Sequence, residues 1–304
     1  MPSEGLPEAL RIDEKRNPKM KLFLISALIG FLSFVATDSH SAPKRLLVFA
    51  GAASKPATEE AIKAFQEKTG ISVDVTFGGS GFVLSQMKLA RKGDLYFPGS
   101  SDFMEIAKRD GLVFPDSEKR IVHLVSAINV QKGNPKGVTS LRDLAKDGIR
   151  IAIANPEMVC VGTYAAEIVE RNLSQGEKEG FKRNLVNYTE SCEKTATAIS
   201  LKAVDAVIGW RVFQYWDPAR IETIYLKPEE IARIGYIPIA ISKYTQDRAI
   251  AQRWIDFLLS PEGKASFRKY HYLMEPEEAR RFAKPDTPIG GEYALPRDWR
   301  GLRK

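Results

Sequence analysis

An α/β fold, strands and helices alternating around a largely parallel sheet, is what this sequence predicts. Three observations lead there. Short unbroken apolar runs such as RLLVFA (45–50) and IRIAIA (149–154) suit strands buried on both faces. Segments with apolar residues at helical spacing follow such runs repeatedly along the chain. The joins carry small residues, hydroxyls and glycine, as at Gly78-Gly79-Ser80-Gly81. With 304 residues the chain exceeds what one small core needs, so two domains or one large one are expected.

The elements follow in order. The first strand breaks at Gly51, and Ser54-Lys55-Pro56 opens a helix with Ala61, Ile62 and Phe65 on one face. ISVDVTF (71–77) alternates as a second strand, and a helix over 82–91 turns Val83, Leu84 and Met87 inward. A short strand at 94–97 precedes a helix capped by Ser100-Ser101-Asp102. The strand-like run 121–130 starts a second unit. There the pattern gives a short helix at 141–145, a strand ending at Asn155-Pro156 and a helix over 162–171. A strand at 185–188, a helix at 193–202 and a strand at 203–210 complete it. Strand signals return at 225–226 and 234–240, before an amphipathic helix over 248–259 and a last one over 264–270. From Glu275 the chain is rich in Pro, Gly and charge and reads as an extended or partly ordered arm.

Composition excludes several classes. With 44% apolar and 27% charged residues the chain is neither disordered nor coiled coil. The 45 basic and 38 acidic residues leave a net charge of +7, spread without a run of five, so no nucleic-acid partner is indicated. Residues 22–36, LFLISALIGFLSFVA, follow Met20-Lys21 and precede small residues, the pattern of a secretory signal peptide cleaved after Ser41. Met20 reads as the start codon, residues 1–41 as extension and signal, and the mature chain as exported. Export makes the two cysteines, Cys160 and Cys192, a disulfide candidate, which would add roughly 3–4 kcal/mol of stability. The alternative is a thiolate pair for a soft metal or metalloid. Two Cys without nearby His make a poor zinc set, so no resident metal and no cofactor are expected.

No nucleophile elbow, Walker loop, dinucleotide fingerprint or H-E-x-x-H occurs, so the chain does not read as an enzyme. His123 and His271 have no nucleophile neighbour, and Glu190 and Glu193 are given no role. What recurs is a strand-to-helix turn of small residues, a hydroxyl and glycine: at 52–54, 78–81, 156–162 and 191–192. Such turns bare the unpaired N–H groups of a helix start, which favour negative charge. At the carboxyl ends of strands, four of them can ring one small anion.

The segments LLVFAGAAS (46–54), VTFGGSGFVLSQMKLARKGDLYFPGSSDFMEIAK (75–108) and IAIANPEMVCVGTYAAEIVE (151–170) resemble the periplasmic molybdate-binding proteins of ABC importers. AVDAVIGW (203–210) and WIDFLLSPEGKASFRKYHY (254–272) extend the resemblance, to most of the mature chain. It implies the type 2 periplasmic-binding-protein fold: two lobes, each a mostly parallel sheet flanked by helices, closing by a hinge near 121–130 and 230–238. Lobe 1 would span 42–125 and return at 234–274, lobe 2 would span 126–233, and 275–304 would be a tail. The implied ligands are neutral donors. The first hydroxyl position falls on Ala53 or Ser54, the second on Ser80 beside Gly79. The backbone amides fall on Val161 and Cys192, and a tyrosine position falls on Trp210. Lys55 could add a charge that the family lacks. The implied function is capture of a tetrahedral oxyanion, molybdate or tungstate, by a monomer in the periplasm, for an inner-membrane ABC permease. Alternatives are sulfate or phosphate, arsenite or another thiophilic ligand on Cys160 and Cys192, or a ligand-sensing module for a membrane receptor.

Overall fold

The computed structural model describes residues 44–301. The signal-peptide and start-codon expectations lie outside the described residues. Two five-stranded sheets organise the chain. The first takes β1 (Arg45–Gly51), β2 (Ser72–Gly78), β3 (Leu95–Phe97), β4 (Lys119–Leu124) and β10 (Gly235–Ile241), in the order β2-β1-β3-β10-β4. The second takes β5 (Ser126–Gln131), β6 (Ile151–Ala154), β7 (Leu185–Thr189), β8 (Ala206–Trp210) and β9 (Ile221–Tyr225), in the order β7-β6-β8-β5-β9. The parallel pairs β1–β2, β1–β3, β6–β7 and β6–β8 form the body of each sheet. One strand per sheet, β10 in the first and β5 in the second, is antiparallel to both its neighbours. Each is the first strand after the chain enters that lobe.

The strand expected over 121–130 is two strands in different sheets. The chain leaves the first sheet at Leu124 and enters the second at Ser126, with only Val125 between. Residues 121–130 are all buried, so the apolar run carries no mark of the change. The second crossing runs from β9 to β10.

Helices cover the sheets. Lobe 1 carries α1 (Lys55–Thr69), α2 (Ser80–Ala90), α3 (Ser101–Arg109), α8 (Arg248–Leu259) and α9 (Pro261–Lys269). Their apolar faces pack Phe65 edge-on against Trp254, ring centroids 5.0 Å apart, over Leu46, Val48 and Met87. Lobe 2 carries α4 (Cys160–Asn172), α5 (Gln175–Asn184), α6 (Cys192–Ser200) and the short α7 (Phe213–Trp216). The sequence reading passes over α5, whose QGEKEGFKRN is too polar to show a face. Its signal is the capping box of Ser174 and Glu177.

The segment after Glu275 is more ordered than an extended arm. It forms α10 (Pro276–Arg280) and then runs across both lobes. The Gly291 carbonyl accepts from Ser101 Oγ of lobe 1 at 2.8 Å, and Tyr293 N–H donates to Asp102 at 3.2 Å. Further on, Trp299 is 1% exposed against Phe181, and its indole N–H donates to Glu170 of lobe 2 at 2.7 Å. Burying one aromatic offsets much local polarity, which composition averages away. Replacing Trp299 by Ala should cost about 3–5 kcal/mol, read as a lowered urea midpoint; an unchanged midpoint would mean the segment is not docked.

Candidate functional site

Four helix starts meet between the lobes. α1 begins after a 3₁₀ turn at Ala52–Ser54, and α2 begins after Gly79; both project from lobe 1. α4 begins at Cys160 and α6 at Cys192, with Ser191 capping α6 through the Lys194 N–H at 3.1 Å; both project from lobe 2. The lobes touch here. Gly81 N–H donates to the Met158 carbonyl at 2.9 Å. A Cβ on Gly79 would lie 2.7 Å from the Glu190 carbonyl and 2.8 Å from that of Met158, so only glycine permits this approach.

At the centre the side chains are packed and dry. Ala53, Ser54, Ser80, Cys160, Val161, Cys192 and Trp210 are each no more than 1% exposed. Ser80 Oγ accepts the Gly99 N–H at 3.0 Å, which leaves its own proton to donate. Of the two candidates for the first hydroxyl position, Ala53 is the central one. A Cβ on Gly99 would lie 2.8 Å from the Ala53 methyl and 2.5 Å from Cys160 Sγ. Ser54 turns its hydroxyl back toward the Gly51 carbonyl, 3.5 Å away. The Ala53 carbonyl accepts from the buried Tyr272 hydroxyl at 2.5 Å.

The two cysteines correct the disulfide expectation. Both are free thiols, Sγ to Sγ 3.5 Å, where a disulfide needs about 2.05 Å. Sequence pairs them rightly in space, because each opens a helix aimed at the same point. Burial pushes the Cys192 thiol up, and the Cys160 thiol beside it adds to the shift; the Val161 N–H and the Trp210 indole pull weakly the other way. Trp210 is fully buried, and its Nε1 stands beside the Cys192 sulfur. Its ring meets Tyr164 edge-on at 4.8 Å.

The cations near the cleft are committed elsewhere. Lys55, expected as a charge for the ligand, pairs instead with Glu193 across the lobes at 2.6 Å. Lys194 pairs with Glu190. Arg233, on the second crossing, joins Asp102 of lobe 1 at 2.9 Å and Glu167 of lobe 2 at 2.6 Å, and lies 3.8 Å over the Tyr164 ring. Burial works against its charge, yet Tyr164, Asp102 and Glu167 hold it above the ordinary value. Gly99, Tyr272 and the Arg233 triad escape the sequence reading. Only Gly99, in another strand-to-helix turn, carries a local signal. A cavity of about 460 Å³ between the lobes is lined by Ala52, Gly79, Phe82, Met158 and Ser191.

Residues 46–273 match the family described as bacterial extracellular solute-binding protein. The chain belongs to that family. Among relatives of this solute-binding protein, the molybdate-binding protein ModA of Rhodobacter capsulatus is 24% identical over 218 residues, 69% of this chain and 81% of its own. The sulfate-binding protein of Synechococcus elongatus is 25% identical over 255 residues, 75% of this chain and 72% of its own. The Azotobacter vinelandii periplasmic molybdate-binding protein shares the fold, with TM-score 0.65 at 19% identity over 76% of this chain and 99% of its own. Among the described residues no helix of this solute-binding protein is long and apolar enough to cross a membrane.

Free, buried thiols carry a direct expectation. Without reductant, two equivalents should react with Ellman's reagent after unfolding and almost none in the native protein at mildly alkaline pH. No reaction after unfolding would restore the disulfide.

Proposed function

We propose that this protein captures a small oxyanion in the cleft between its lobes, in the periplasm, and hands it to an ABC permease. Molybdate and tungstate are the first ligands of this reading and sulfate the next. One observation carries it: four helix starts, two from each lobe, meet at one buried point. Each brings the positive end of a helix dipole, and the first turn of a helix carries amides outside the helical ladder that a ligand can take up when the lobes move. Ser80 would add a hydroxyl proton, and Trp210 its buried indole N–H, which stands beside the Cys192 sulfur. The relatives named for molybdate and sulfate support the same ligand class.

Neutral donors suit this task. A cation would bind any anion, whereas amides and hydroxyls fixed by closure select by size and by the number of protons the ligand demands. Lobe movement about the two crossings would admit the ligand and expel its water. In this reading recognition and release of the oxyanion are the whole mechanism.

The test is calorimetric titration of the refolded protein with molybdate, tungstate, sulfate and phosphate. One-to-one binding of the first two, with Ser80→Ala weakening it about tenfold to a hundredfold, is the expected result. Silence for all four would overturn the reading.

A further inference from the structure

The point where the helix starts meet holds two sulfurs. Cys160 and Cys192 each open a helix, lie 1% exposed and stand 3.5 Å apart. The Ala53 methyl and Cys160 Sγ both crowd Gly99, which leaves the space that the sulfur fills. Trp210, fully buried, turns its Nε1 to the Cys192 sulfur.

We infer that the cleft takes the trivalent oxyacid of a thiophilic element, arsenous or antimonous acid, with Cys160 and Cys192 as its two ligands. This rests on the interlobe cleft being the ligand site, and not on the ligand being tetrahedral.

Geometry favours this centre over other soft ones. Two sulfurs 3.5 Å apart, each about 2.3 Å from one atom, subtend an angle of about 100°. That matches a three-coordinate pyramidal centre carrying a lone pair. A monovalent coinage metal between two thiolates prefers a linear arrangement, which would spread the sulfurs further. A tetrahedral divalent metal needs more ligands, and among the described residues no group of three or more His, Cys, Asp or Glu gathers to hold a metal.

Charge agrees. Arsenous acid is neutral at physiological pH, and the nearby cations Lys55, Lys194 and Arg233 are all paired with carboxylates. The exchange is a substitution without redox change. Two As–O bonds break and two As–S bonds form, and each thiol proton leaves with a hydroxide as water. The remaining As–OH stays polar, within a site that offers the Trp210 N–H and the Ser80 hydroxyl. Because both thiol protons depart in water, burial of the two sulfurs does not oppose the reaction.

The test uses the reduced full mature chain, desalted without oxygen and titrated with sodium arsenite and, in parallel, with molybdate. Expected are one arsenic retained per chain, two As–S distances by X-ray absorption, and loss of both Ellman-reactive thiols on unfolding. Cys160→Ser or Cys192→Ser should weaken retention about a hundredfold or more, since the second attachment is lost. If either variant fails to fold, absorption on the unaltered protein decides alone. No retained arsenic, retention without As–S scattering, or unchanged retention in the double serine variant overturns the inference. Arsenite binding with molybdate silent upholds it and removes the tetrahedral ligand. Molybdate binding with arsenite silent does the reverse, and silence for both overturns each.

Discussion

The Arg233 guanidinium belongs to neither lobe alone. It stands on the segment crossing from β9 to β10 and reaches Asp102 on α3 and Glu167 on α4 from a nearly buried position. A buried charge is tolerated only when its partners are close, and removing one of them is costly. Here the partners lie in different lobes, so the full set is satisfied only while the lobes are together. Any opening of the lobes would exchange one carboxylate for water. The closed arrangement therefore has its own source of stability, next to the strand that would act as a hinge. The Gly291 carbonyl accepts from the same guanidinium at 2.8 Å, which adds the C-terminal segment to the closure.

This placement shapes what the cleft can recognise. With Arg233, Lys55 and Lys194 engaged by carboxylates, the positive potential at the centre comes from helix starts and amides. Such donors are fixed by the fold and need no counter-charge. In the proposed site they would leave selectivity to shape, to proton count and, through Cys160 and Cys192, to affinity for sulfur. The chain belongs to a family that binds solutes, and at the meeting of its helix starts it places a pair of buried thiols.

Much of the scaffold is legible in the sequence because its strands are apolar on both faces and its turns carry glycine and hydroxyls. Gly79 and Ser80 could be placed at the cleft from their own neighbours. Cys160 and Cys192 could be placed together, but not read as unbonded, since their separation depends on how two helices are set on one sheet. Ala53 against Ser54 turns on a 3₁₀ turn after β1 that propensity does not resolve. The Asp102–Arg233–Glu167 triad joins residues far apart in sequence, so no spacing announces it. The C-terminal segment hides its order because a single buried tryptophan, Trp299, anchors a stretch otherwise rich in Pro, Gly and charge.

The central claim is that one ligand is held by helix starts from both lobes. Amide hydrogen exchange with and without ligand tests it most directly. Protection confined to residues 52–55, 79–82, 160–162 and 191–194, on both sides of the cleft at once, is the predicted result. Protection on one lobe only, or confined to the separate cavity lined by Phe103, Thr163 and Tyr293, would contradict it.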